Sequence, residues 1–203
     1  IWMERKIEIQ MSEMRFAERE AVGQPILIHS NLRVVDAEKA LIAKSFIKYQ
    51  GLEIYRNRFT NIVLSNLVTG CTSLFNEELA LKALPIPDKA IMHDWWLALT
   101  ATAFGRLIFI DEPLVSYRQH GSNTIGAKEF LKSNERSGRL WEKLLASKRI
   151  EHLTEVSEQA LEFRERFGNS LSTKQHFSLW ISSMMRRGGG IWQRVLYKLA
   201  RLL

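Results

Sequence analysis

The sequence predicts an α/β fold, because short apolar runs typical of strands alternate with helical patterns over residues 1–127 of its 203 residues. A buried strand is expected over residues 25–35, where a run rich in Ile, Leu and Val ends at Asp36. A helix is expected over residues 93–104, because Gly105 follows it as a C-terminal stop. From residue 128 onward only helical patterns occur, so residues 128–203 are predicted to form an all-helical appendage.

The other elements follow from the same periodicities and from Pro and Gly breaks. A helix is expected over residues 3–21, with Ile7, Met11 and Met14 on one face, and another over 77–84, capped by Asn76. Strands are expected over 73–75, 107–110 and 114–117, the last two joined by a turn. Further helices are expected around 140–145, 153–163 and 191–203. Residues 37–60 are irregular in pattern and rich in aromatic side chains.

The composition is that of a globular protein with a substantial core, since 46% of residues are hydrophobic and 25% are charged. The single cysteine, Cys71, excludes an internal disulfide and suits a reducing compartment, so we expect a cytoplasmic location. No apolar run approaches the roughly 20 residues that cross a bilayer as a helix.

The net charge of +7 is concentrated at one end of the chain. From Asn169 to Leu203 there is no Asp or Glu, and the segment contains six Lys or Arg residues. The preceding residues are therefore close to neutral. Because a nucleic-acid-binding surface usually spreads basic residues over the folded body, this distribution indicates a basic tail and no nucleic-acid partner.

The last predicted helix is both basic and amphipathic. Its apolar stripe comprises Ile191, Trp192, Val195, Leu196, Leu199 and Leu203, and its basic residues are Arg194, Lys198 and Arg201. Such a helix suits an anionic membrane surface, which would place the protein peripherally at the inner face of the cell membrane. A final helix packed against the body is an equally good interpretation.

Asp94 is the candidate catalytic residue. It lies at the predicted start of the helix over 93–104 and is followed by Trp95 and Trp96. A carboxylate can act as a general base, and aromatic faces can hold a sugar-like surface. An Asp in a first helical turn also satisfies free N–H groups, and a Trp pair in a helix is more often part of the core, so these alternatives stay open.

A polar loop after the predicted strand over 114–117 offers a second set of candidates. Arg118 and His120 precede Gly121, so a cation and an imidazole lie beside a tight turn. These groups suit a diphosphate or a metal-bound diphosphate. Cys71 has neither a neighbouring base nor a helix N-terminus, which argues against a nucleophilic role.

Four segments occur in an order that resembles one known family. They are HSNLRVVD at 29–36, VTGCTSLFN at 68–76, HDWW at 93–96 and PLVSYRQHGSNT at 113–124. Together they resemble the C-terminal half of bacterial family 2 glycosyltransferases, and in particular the rhamnosyltransferase-like enzymes of cell-surface polysaccharide assembly. The resemblance covers residues 1–127. It implies an incomplete GT-A-type, Rossmann-like α/β fold that comprises the acceptor-binding half, followed by the helical appendage over 128–203.

The resemblance implies an inverting transfer from a nucleotide-sugar donor to a saccharide or lipid-linked acceptor. In such a transfer Asp94 is the base that removes the acceptor hydroxyl proton. The residues implied to contact substrates are Thr69, Gly70 and Cys71 in the floor of the acceptor site, His93, Trp95 and Trp96 beside the base, and Arg118 toward the donor diphosphate. His120 is implied to lie near that diphosphate and its metal ion.

Two departures from the family pattern shape these expectations. Asn31 stands where family members usually carry Asp, which weakens any charge-based role there. The nucleotide-binding half and its Asp-rich motif for Mg²⁺ or Mn²⁺ are expected upstream of Ile1, so the chain by itself is not expected to transfer sugar. A noncatalytic carbohydrate- or partner-binding module built on the same half-fold is the alternative function.

Overall fold

The computed structural model describes residues 1–119, 147–185 and 190–202, and these residues form a mixed α/β fold. The helices are α1 (Lys6–Glu20), α2 (Phe46–Gln50), α3 (Phe59–Ile62), α4 (Glu77–Ala83), α5 (His93–Phe104), α6 (Ser147–Phe167), α7 (Thr173–Met184) and α8 (Gly190–Leu202). The strands are β1 (Ile26–Val35), β2 (Leu41–Ala43), β3 (Ser73–Phe75) and β4 (Arg106–Arg118). Short 3₁₀ turns occur at Gly70–Thr72 and Gly168–Ser170.

Strand β1 is the centre of a four-stranded mixed sheet, which confirms the expected α/β class. One edge of β1 pairs in parallel with β4 along its whole length, from Ile26 opposite Arg106 to Val35 opposite Arg118. The other edge pairs antiparallel with β3 near its start and with β2 near its end. Because β1 is covered on both edges, it is the most deeply buried strand, and nine of its ten residues are buried.

The two strands predicted over 107–110 and 114–117 are one strand, β4, with an irregularity where the turn was expected. Its pairing to β1 jumps from Ser30 opposite Ile110 to Asn31 opposite Pro113. Extra residues at such a bulge accommodate a proline that cannot donate to the ladder. The Asn31 amide donates to Oδ1 of Asp111 in the bulge at 3.0 Å, a contact that a carboxylate at position 31 could not make.

The first residues of β1 alternate between two cores on opposite faces of the sheet, while Leu32 and Val34 near its end belong to a third apolar cluster. Ile26 and Ile28 pack against Met14 and Ala17 of α1. Leu27 belongs to the larger core on the other face, which also contains α3, α4 and α5. Side chains of α6, α7 and α8 join that same core, so these helices and the α/β body share one apolar interior.

Several predicted elements are confirmed by the structure. Helix α5 runs over His93–Phe104 as expected, and β3 and β1 match their predicted spans within one residue. Asn76 caps α4, since its side chain accepts a hydrogen bond from Leu79 N at 3.2 Å. In α6 the buried apolar residues are Leu153, Val156, Ala160 and Phe163, which span the helix predicted around 153–163.

The structure corrects or refines the predicted elements in three further places. The inward face of α1 comprises Lys6, Gln10, Met14 and Ala17, while Ile7 is exposed. The irregular stretch 37–60 contains β2 and α2. Helix α7 lies within the region predicted to be all-helical, but its own bounds were not predicted. Its Ser172 capping box was a usable signal, but exposed aromatic and buried Ser residues obscure its periodicity. The helix expected around 140–145 lies outside the described residues, and the boundary at residue 127 stays a prediction.

Burial of His29 on β1 gives the fold a defined acid sensitivity. The residue is 1% exposed, and burial lowers its pKa from 6.5 to about 4. The unfolded chain therefore binds a proton at His29 near pH 6.5, whereas the folded chain binds it only near pH 4. The stability contribution of neutral His29 is present above pH 6.5 and is lost as the pH falls toward 4.

We predict that the free energy of unfolding falls by about 3 kcal/mol across this pH window because of His29. Denaturant unfolding measured at a series of pH values in the wild type and in His29→Leu checks this. The variant should show a shallower acid slope than the wild type, because it has no group at position 29 that gains a proton on unfolding. An equal slope in His29→Leu and the wild type would contradict the assignment.

Candidate functional site

The side chain of Asp94 is held at the start of α5 by a loop from another part of the chain. It is 7% exposed, and its Oδ2 accepts a hydrogen bond from the backbone N–H of Gly70 at 2.7 Å. Its Oδ1 accepts one from Nδ2 of Asn66 at 3.1 Å. Asn66 is itself fixed, because its Oδ1 accepts from Val68 N at 2.9 Å. Both of these donors lie outside α5, so the carboxylate is hydrogen-bonded to a loop and not to the N–H groups at the start of its own helix.

Asp94 also lines a small cavity of about 240 Å³. The wall is partly aromatic and partly polar, and it comprises Phe46, Gln50, Leu52, Asn66, Leu67, Val68, Thr69, Met92, Asp94 and Tyr117. The rings of Phe46 and Tyr117 lie with centroids 6.4 Å apart. Pockets for drug-sized ligands are about 300–1,000 Å³, so this one suits a single small ring.

Gly70 is required by the close approach of the loop to α5. A Cβ atom placed on Gly70 would lie 2.7 Å from Nε2 of His93 and 3.3 Å from Oδ2 of Asp94. The structure thus brings together four of the predicted site residues, Thr69, Gly70, His93 and Asp94. His93 is exposed at the first position of α5, beside the buried carboxylate.

Trp95 and Trp96 are both core residues, at 2% and 0% exposure. The Trp95 indole N–H donates to the carbonyl of Ile62 at 2.6 Å, and that of Trp96 donates to the carbonyl of Ala83 at 3.1 Å. Trp95 and Trp96 are therefore both part of the core, which is the alternative that helical geometry favours. Neither ring borders the cavity, so direct contact with a substrate stays a prediction that their burial does not support.

The remaining predicted residues either do not line the Asp94 cavity or lie outside the described part of the chain. Cys71 is exposed, and desolvation of its sulfur raises the pKa of the thiol, which disfavours a thiolate nucleophile. Arg118 is exposed at the end of β4, next to the cavity residue Tyr117 and on the opposite face of the strand. His120 lies outside the described residues.

Sequence reasoning missed Asn66, Phe46 and Tyr117 as site residues. Asn66 carried a weak signal, since it lies just before the Thr69–Cys71 segment. Phe46 was one of several aromatic residues in the stretch 37–60, and only the three-dimensional pairing of α2 with the end of β4 brings it to Tyr117.

A second and larger cavity, of about 590 Å³, adjoins the first, and Leu52 and Leu67 line both. It combines apolar walls with polar groups, namely Glu53, Arg56, Asn61 and Ser65. Tyr197 of α8 also lines it, so the C-terminal helix borders this groove.

Within the described ranges, no three His, Cys, Asp or Glu side chains lie close enough together to hold a metal ion. That finding covers only the described residues, so the expected Mg²⁺ or Mn²⁺ stays a prediction. The predicted ligands, His120 and acids upstream of Ile1, are not among them.

No protein-family model, curated protein or solved structure matches the chain. The proposed function therefore rests on the geometry around Asp94.

We predict that Gly70→Ala destabilises the fold by roughly 1–2 kcal/mol, because the added methyl group collides with His93 and crowds Asp94. Denaturant unfolding of Gly70→Ala, His93→Ala and the double variant measures this. Removing the imidazole should recover much of the loss. Gly168→Ala is the matched control, since its Cβ would meet His176 Cε1 at an ordinary 3.7 Å. A stable Gly70→Ala, or no relief in the double variant, would argue against the close packing.

Proposed function

We propose that this chain is the acceptor-side part of an inverting glycosyltransferase with a GT-A-type fold. In this proposal a sugar passes from a nucleotide-sugar donor to a saccharide or lipid-linked hydroxyl, as in cell-surface polysaccharide synthesis. The observation that carries it is the oriented Asp94 carboxylate in the wall of a small, partly aromatic cavity. The motif order in the sequence supports the family, and the mixed sheet is compatible with it.

The hydrogen bonds to Asp94 suit a general base. A carboxylate has about four lone-pair positions, and the Gly70 N–H and the Asn66 amide take one on each oxygen. The remaining lone-pair positions can accept a hydrogen bond from the hydroxyl group of an acceptor bound in the cavity. Because both donors come from one loop, the carboxylate is held in a fixed direction before the substrate arrives, which avoids reorganisation in the reaction.

The proposed reaction is a single displacement. Asp94 takes the proton of the acceptor hydroxyl as its oxygen attacks the anomeric carbon of the donor. The bond from that carbon to the diphosphate oxygen breaks, and the nucleoside diphosphate leaves with the electron pair. The configuration at the anomeric carbon is inverted because the entering and leaving oxygens lie on opposite sides.

The size and lining of the cavity support a sugar acceptor. A volume of about 240 Å³ is enough for one ring, and aromatic Phe46 and Tyr117 can face its apolar side. Gln50, Asn66 and Thr69 supply polar groups at the same wall. Further acceptor units fit the adjoining cavity past Leu52 and Leu67.

We predict that Asp94→Asn lowers turnover at least about a hundredfold, the lower range for loss of a general base. The test uses the natural gene product that contains this chain, a panel of nucleotide-sugar donors, Mg²⁺ or Mn²⁺, and release of nucleoside diphosphate as the readout. Donor binding should persist, since the amide keeps the shape of the side chain.

Asp88→Asn is the matched control, because Asp88 is an exposed carboxylate on the segment before α5. Near-normal turnover in Asp94→Asn would remove Asp94 as the base. Saccharide binding without release of nucleoside diphosphate from any donor would instead favour the noncatalytic binding module.

A further inference from the structure

Helix α7 leaves a row of large apolar side chains exposed. Phe177, Trp180 and Met184 are 47%, 47% and 41% exposed, and their spacing places them on one face of the helix. The rings of Phe177 and Trp180 are stacked with centroids 5.8 Å apart. Ser178, Leu179, Ile181 and Ser182 form the opposite, buried face. The exposed row is therefore not needed to attach α7 to the body.

Helix α8 is attached to the body and still presents apolar side chains outward. Gln193 and Ala200 are buried, and Nε2 of Gln193 donates to the carbonyl of Met185 at 2.8 Å. Val195 and Leu199, four residues apart, are 42% and 48% exposed. One face of α8 thus packs against the body, as the first interpretation expects. Another face presents apolar side chains outward, as a surface-binding helix would.

The charged residues of the segment that contains these two helices all have one sign. Residues 169–203 contain six Lys or Arg residues and no Asp or Glu. Lys174 is exposed at the start of α7, and Lys198 is exposed on α8 between Val195 and Leu199. Apolar side chains flanked by Lys are the arrangement that binds an anionic lipid surface.

We propose that the exposed residues Phe177, Trp180, Met184, Val195, Lys198 and Leu199 form one surface, named the α7–α8 face, that binds an anionic lipid bilayer. The two helices contact each other, which brings their exposed rows near one another. No helix in the described part of the chain is long and apolar enough to cross a membrane. A second copy of the chain is a poorer occupant than an anionic surface, because a symmetric dimer through this face would bring two Lys198 side chains together. This inference does not depend on the proposed sugar transfer.

Flotation of the intact protein with vesicles tests the proposal. The probes are vesicles of phosphatidylcholine alone and of an equimolar mixture with phosphatidylglycerol. We expect binding to the mixed vesicles only, weakening as salt is added. Trp180→Gln and Leu199→Gln should each reduce the partition coefficient roughly tenfold through lost apolar burial.

Lys198→Gln should reduce the partition coefficient roughly fivefold by removing one charge at the surface. Leu81→Gln is the matched control, because Leu81 on α4 is 77% exposed outside the face. Circular dichroism and thermal unfolding should be the same for all variants. Equal binding to neutral vesicles, no effect of the face variants beyond that of Leu81→Gln, or dimerisation through the face without lipid binding would each overturn the proposal.

Discussion

The anchoring of α5 by two buried indoles is the constraint on which the site depends. The Trp95 indole donates to a carbonyl of α3, and the Trp96 indole donates to a carbonyl of α4. These two consecutive residues therefore fix α5 to two other helices. Asp94 immediately precedes them in the chain, so the same hydrogen bonds hold its backbone in place. The loop that carries Asn66 and Gly70 then meets a carboxylate whose position is already set. The tryptophans support the site by fixing the helix, whereas the family resemblance implied that both contact a substrate.

The sequence was most predictive where the signal is local. Asn76 as a cap, Gly105 as a stop and the apolar run of β1 each correspond to a short-range physical preference, and each is found in the structure. Gly70 next to Asp94 also followed from motif order. The pairing of Phe46 with Tyr117 did not, because it depends on contacts between elements far apart in the chain. The burial of both Trp rings is likewise a result of packing that periodicity alone cannot assign.

The C-terminal helices are part of the same structural unit as the site. Phe163 of α6 packs edge-on against Trp96, with ring centroids 5.2 Å apart. Arg166 donates to the carbonyls of Lys82, Leu84 and Pro85 at the end of α4. Helix α8 contributes Tyr197 to the larger cavity, which shares the lining residues Leu52 and Leu67 with the Asp94 cavity. The C-terminal helices thus pack against α5 and form part of the wall of the neighbouring cavity.

The central claim is that Asp94 acts as the base of a single displacement at an anomeric carbon. The most direct measurement is the anomeric configuration of the product, assigned by NMR once a donor that supports transfer by the natural gene product is identified. Inversion relative to the donor is expected, because one carboxylate activates the hydroxyl and no covalent intermediate forms. A product that retains the configuration of the donor would contradict the claim.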